Sequence, residues 1–216
     1  MHSQHSTPIP ATPEHPPAMH AEADVAAAHA HVQPVVVALI GLPGAGKSVV
    51  ARAIEDQLGL RRVCRDAIRH AMFPKCSYSF AEKRAAFRSL LLALEINCLL
   101  GESSVIDGVT FSRRRDLLRV DGVILRYAFT PIPIYLDCPP DVARARIASD
   151  VENDRHLARD RTPEVVNEVL VRFDPPPPNA LTIDASRPAA DVCRIAVDAV
   201  AAIRGARLRT AQTPLK

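Results

Sequence analysis

Val35-Val36-Val37-Ala38-Leu39-Ile40-Gly41-Leu42-Pro43-Gly44-Ala45-Gly46-Lys47-Ser48 is the stretch that decides the fold. Six apolar residues in a row suit a strand buried on both faces. The next eight fit G-x-x-x-x-G-K-[ST], the pattern of a phosphate-binding loop, and Val49-Val50-Ala51-Arg52-Ala53-Ile54-Glu55 then has the composition of a helix. Gly41, Gly44 and Gly46 let the backbone turn tightly and bring its amides toward phosphate oxygens. The helix N-terminus adds the positive end of its dipole. Lys47 would set a compact cation on β- and γ-phosphates, and Ser48 would offer a hydroxyl to Mg²⁺. Leu42, Pro43, Ala45 and Val49 complete the predicted nucleotide-binding set.

Downstream, strand-like and helix-like segments alternate, which predicts a parallel sheet covered on both faces. Strands are expected at residues 35–40, 62–64, 104–106, 132–136 and 180–183. Helices are expected at 47–58, ending on Gly59, then 67–72 with Asp66 as its N-cap, and 80–100, stopped by Gly101. Others follow over 112–125, with a break allowed at Asp121-Gly122, over 142–148, from Pro163 to Phe173, and over 188–203. The predicted fold is a three-layer, doubly wound α/β domain on a five-stranded parallel sheet. It occupies residues 34–204, between a His/Pro/Ala-rich head (1–33), expected to be disordered, and a tail (205–216).

Composition narrows the function classes. The 216 residues carry a formal net charge of +3, which neither requires nor excludes an anionic partner. Aromatic residues are few and are not interleaved with basic clusters, so single-stranded nucleic acid is not the expected ligand. The five cysteines are widely spaced, with no C-x-x-C pair, and read as small buried hydrophobes in a reducing compartment. No apolar run reaches membrane-spanning length, and no signal-peptide pattern opens the chain. A cytoplasmic monomer or homodimer is expected. His29 and His31, in the head, could chelate a transition metal weakly.

Asp66-Ala67-Ile68-Arg69 is the second informative feature. A strand ending here would bring Asp66 to the crevice that holds the phosphate loop. A carboxylate there can accept the proton of an attacking hydroxyl, and an arginine one turn later can hold an anionic acceptor. Asp107 closes the apolar strand Val105-Ile106 and is placed to contact Mg²⁺ through water or to position the acceptor. Asp137 ends the next strand in the same way; Asp107 is preferred because Asp137 runs into Cys138-Pro139-Pro140, a turn. The charged stretch 150–161 reads as a lid, with Arg155, then Arg159 and Arg161, as the candidate for the transferring phosphoryl group.

These residues resemble the small P-loop kinases of the AAA-type ATP-binding group related to polynucleotide kinase, zeta toxin and adenylylsulfate kinase. The likeness rests on Gly41 to Ser48, on Asp66 with Arg69, on Val105-Ile106-Asp107-Gly108 with Thr110 and Arg114 or Arg115, and on Tyr135-Leu136-Asp137 with Arg144 or Arg146. It implies that Asp66 activates the acceptor hydroxyl and that Arg69 binds the acceptor. Lys47, Asp66 and Arg155 are then the catalytic candidates, with Asp66, Arg69 and Asp107 on the substrate and Ser48 with Asp107 on the metal. The expected activity is transfer of the γ-phosphate of ATP, with Mg²⁺, to a hydroxyl of a small molecule. The competing expectation is an ATP-binding or ATP-hydrolysing regulatory module without an acceptor. A guanine-nucleotide switch is not expected, because N-K-x-D and T-K-x-D are absent.

Overall fold

The computed structural model describes residues 33–152 and 162–210. Strand β1 (Val35–Ile40) is buried along its whole length. Val35, Val37 and Leu39 point into one apolar layer, and Val36, Ala38 and Ile40 into the other. A strand's period of two puts alternate side chains on opposite faces, so a strand covered twice has no polar position to spare.

β1 pairs in parallel with β3 (Ser104–Asp107) on one side and β4 (Thr130–Asp137) on the other. β2 (Arg61–Cys64) extends the sheet beyond β3, and β5 (Leu181–Asp184) extends it beyond β4, giving the order β2-β3-β1-β4-β5. All pairings are parallel. From β1 the chain goes to β2 and β3 on one side and then crosses to β4 and β5 on the other, so a crevice opens at the C-terminal ends of β1 and β3.

β4 contains Pro131 and Pro133, although it lies inside the sheet. The N–H of Thr130 donates to Pro34 O at 3.0 Å, so even-numbered β4 residues aim their amides at β1. The odd-numbered ones face β5, which begins only opposite Ile134. Both prolines therefore lack an N–H where no neighbour asks for one.

Helix α1 (Lys47–Leu58) starts from Gly46 at φ 91° and ends on Gly59 at φ 68°, whose N–H donates to Glu55 O. α2 (Arg65–Met72) begins one residue earlier than Asp66 can cap: Cys64 is its N-cap, and the Asp66 carboxylate lies in the first turn. The expected capping role of Asp66 is thus corrected. α3 (Phe80–Leu99) opens on a reciprocal capping box between Ser79 and Glu82. α4 (Arg114–Ile124) passes through Asp121-Gly122 unbroken. Leu117, Val120, Val123 and Ile124 bury its inner face, and that burial outweighs the roughly 1 kcal/mol a mid-helix glycine costs. α5 (Pro140–Glu152) absorbs the first residues of the predicted lid, α6 (Val165–Leu170) is shorter than expected, and α7 (Ala189–Thr210) carries the helix past residue 204.

α1, α5, α6 and α7 cover one face of the sheet, and α3 and α4 cover the other. Cys98 and Cys138 are buried, the other cysteines are half-buried, and all five are free thiols. No helix among the described residues is long and apolar enough to cross a membrane.

The loop after β1 is packed against α5 at a distance only glycine permits. A Cβ on Gly44, at φ 82°, would stand 2.3 Å from the carbonyl oxygen of Ala143. Gly44→Ala must strain the backbone and push the loop off α5, a combined cost of about 2 kcal/mol or more. Urea unfolding should show that loss; a change below about 0.5 kcal/mol would mean the loop and α5 are not in contact.

Candidate active site

The loop leaves donors unused. Ala45 donates to Leu42 O, and Val49 and Val50 share Gly46 O. The main-chain N–H groups of Gly44 and Gly46 find no acceptor among the described residues. With the positive end of the α1 dipole, they make a concave set of donors. Lys47 is buried, and its ammonium donates to Gly41 O at 3.0 Å and Leu42 O at 2.7 Å. It sits folded into the mouth of its own loop, bonded to carbonyls that a phosphate oxygen can replace.

Ser48, beside it, donates its hydroxyl to Asp107 Oδ1 at 2.7 Å, across 59 residues of chain. The strands bring the pair together: β3 lies next to β1, and Asp107 is the last residue of β3. Asp107 is 2% exposed. Gly108 N–H donates to the same oxygen at 2.7 Å, and Arg62 Nη1 donates to Oδ2 at 3.2 Å. Arg62 also reaches α1, giving its Nε–H to Glu55 Oε2 at 2.7 Å. That charged hydrogen bond, opposed by partial burial and reinforced by Asp107, holds the guanidinium above an arginine's ordinary pKa.

Asp66 stands on the far side of Asp107, because β2 pairs with β3 and Cys64 lies opposite Asp107 in the register. Its carboxylate accepts from Arg69 Nη2 at 3.0 Å and faces Arg65 Nη2 at 3.6 Å. Asp66 and Arg69 are both buried, and the Arg69 guanidinium lies over the Tyr78 ring, 4.7 Å from its centre. A charge removed from water needs this many partners. A Cβ on Gly108 would be 3.0 Å from Asp66 N and 3.2 Å from its carboxylate, so glycine lets the end of β3 pass against Asp66. Desolvation pulls Arg65 below an arginine's ordinary pKa, and its Nε has no hydrogen-bond partner among the described residues. Burial first, and then the Asp107 charge, push the Cys64 thiol up, which keeps it neutral and a poor nucleophile.

The structure brings Lys47, Ser48, Asp107, Asp66 and Arg69 to adjoining strand ends. It does not bring Asp137 there. That residue ends β4, on the other side of β1, with an exposed side chain that accepts from Tyr135 Oη at 3.3 Å. Arg144 is engaged by Asp141 and Asn167, and Arg146 donates to Ala185 O at 2.9 Å. Arg113 faces Asp174, whose carboxylate also caps α4 by accepting from Arg114 N at 2.8 Å. Arg155, Arg159, Arg161, His29 and His31 lie outside the described residues.

Ser48 and Asp107 are hard oxygen donors, the chemistry Mg²⁺ prefers. Among the described residues no group of three or more His, Cys, Asp or Glu gathers round a common point. A cation at Ser48 and Asp107 would therefore complete its coordination with phosphate oxygens and water. Sequence reasoning missed Arg62, Glu55, Arg65 and Tyr78. Arg62 was discoverable in part, since it shares a strand face with Cys64 two residues on, but its partners lie on other elements.

Residues 36–176 match the model of the AAA_33 family, described as an AAA domain. No curated protein matches the chain significantly. Solved structures share the fold. A gluconokinase from Sinorhizobium meliloti 1021 superposes with a TM-score of 0.63 at 16% identity, over 83% of this chain and 98% of the other. The Mycobacterium tuberculosis APS kinase in complex with AMPPNP and APS gives a TM-score of 0.56 at 19% identity, over 78% and 98%. Shikimate kinase from Acinetobacter baumannii in complex with shikimate gives 0.55 at 18%, over 81% and 97%. A phosphate loop on β1, an aspartate ending the neighbouring strand and a family match across most of the folded domain lead to one conclusion: this chain belongs to the AAA_33 family and has the three-layer α/β fold of the P-loop kinases.

Proposed function

We propose that this protein transfers the γ-phosphate of ATP to a hydroxyl group of a small-molecule acceptor. One observation carries the reading: the Asp66 carboxylate lies against Gly108, beside the Asp107 that Ser48 contacts, so a proton acceptor and a phosphate cradle share one crevice. The loop amides and Lys47 bind the triphosphate, and Lys47 exchanges its loop carbonyls for phosphate oxygens. Ser48 and Asp107 would hold Mg²⁺, which when bound neutralises charge on the β- and γ-phosphates. Asp66 takes the proton of the acceptor hydroxyl as its oxygen bonds to the γ-phosphorus. The bond from that phosphorus to the β–γ bridging oxygen breaks, and its electron pair leaves on ADP. Arg69, fixed by Asp66 and the Tyr78 ring, orients both the base and the acceptor.

The acceptor's body is assigned to a groove between the end of α2 and the start of α3. Met72, at the end of α2, and Phe80, Ala81, Arg84 and Arg88 on α3 line an open groove of about 510 Å³. Arg84 and Arg88 form no ion pair among the described residues. This surplus of positive donors favours an acceptor with an anionic group remote from the hydroxyl that is phosphorylated.

A screen of hydroxyl-bearing metabolites with γ-labelled ATP identifies the acceptor. With it, Asp66→Asn should lower kcat by about 10²- to 10⁴-fold while ATP affinity stays within about twofold. A loss below about threefold in a folded variant removes Asp66 as the base. Arg84→Gln combined with Arg88→Gln should raise the acceptor KM by about tenfold or more and leave kcat within about twofold. An unchanged KM places the acceptor elsewhere.

A further inference from the structure

The Arg62 bridge remains unexplained by the transfer step. It joins the middle of α1 to the end of β3: Nε–H on Glu55 Oε2 at 2.7 Å and Nη1 on Asp107 Oδ2 at 3.2 Å. Asp107 is otherwise bonded on its other oxygen, by Ser48 Oγ and Gly108 N. Each of its oxygens is therefore occupied. We infer that Arg62 is a positioning residue that sets the magnesium requirement of the site, with Glu55 as the group that moderates it. The inference rests on the proposed metal role of Asp107 and deepens it.

The effect is electrostatic. A dication held through the Asp107 carboxylate faces a guanidinium bonded to that same carboxylate, and like charges this close, with one partner 97% buried, repel with little screening. Arg62 neutralises Asp107 when no cation is present, which relieves the cost of a buried carboxylate, and it opposes the cation that arrives. Glu55 draws the same guanidinium toward α1 and offsets its charge. Removing Arg62 leaves Asp107 more negative, and removing the Glu55 charge leaves Arg62 less compensated. Charge therefore predicts opposite effects from the two ends of one bridge. Loss of alignment predicts the same effect from both, since either substitution breaks the bridge. The side chains of Arg62 and Glu55 are 27% and 37% exposed, so neither neutral replacement is itself buried without a partner, and after Arg62→Gln the Asp107 carboxylate keeps Ser48 Oγ and Gly108 N.

The test titrates ATP binding against Mg²⁺ by calorimetry, in the full chain and in Arg62→Gln, Arg62→Lys and Glu55→Gln. Arg62→Gln should lower the Mg²⁺ concentration for half-maximal binding by about three- to tenfold. Glu55→Gln should raise it by a similar factor, and Arg62→Lys should stay within about twofold of the parent. Shifts in the same direction, or none in either variant, overturn the inference. A parent chain that binds ATP equally with and without Mg²⁺ overturns the metal role of Asp107 itself, a result distinct from the first.

Discussion

The backbone after β1 has donors with nowhere to donate. Main-chain amides are rarely left unpaired in folded proteins, yet Gly44 and Gly46 are held with no acceptor among the described residues at the positive end of a helix. The surroundings enforce this. A side chain on Gly41 would meet the Leu136 carbonyl at 2.9 Å, and one on Gly44 would meet the Ala143 carbonyl at 2.3 Å, so the loop is clamped between β4 and α5. Lys47 occupies the loop's own carbonyls. The loop is thus pre-shaped for an anion, and the remaining polar residues are arranged at its edge.

Charge in the crevice is closely balanced. Glu55, Asp66 and Asp107 oppose Arg62, Arg65, Arg69 and Lys47, three negative groups against four positive, linked by contacts of 2.7 to 3.6 Å apart from Lys47, which is held by its loop. Such a network is stable at rest, because each carboxylate has a guanidinium. It has only one positive charge to spare for a triphosphate. On the proposed function a nucleotide would bring a counter-ion, held by Ser48 and Asp107 beside the loop.

Much of this was legible in the residues, and the rest was not for identifiable reasons. β1 and α1 follow from local signals, an unbroken apolar run and the glycines that begin and end the helix. The placing of Asp66 and Asp107 near the loop follows from strand ends, which alternation locates. Local reading was incomplete where tertiary burial decides: it left a break open at Asp121-Gly122, and the helix runs on because the apolar face of α4 is covered. It erred by one residue at α2, where Asp66 looks like a cap and is instead a buried partner of two arginines. The Arg62 bridge was invisible, since its ends are 7 and 45 residues away on other elements. Tyr78 takes a positive φ of 56° in a loop, and nothing in its neighbours' chemistry announces the arginine beneath its ring.

Every proposed step depends on the clamped loop gripping a triphosphate. Calorimetric titration of the full chain with ATP and Mg²⁺, beside Lys47→Ala, addresses that directly. The parent should bind saturably at one to one, and removing the ammonium should lower affinity by at least about tenfold. Folded parent protein that gives no heat of association at saturating ATP, or a Lys47→Ala variant that binds as tightly as the parent, would contradict that grip.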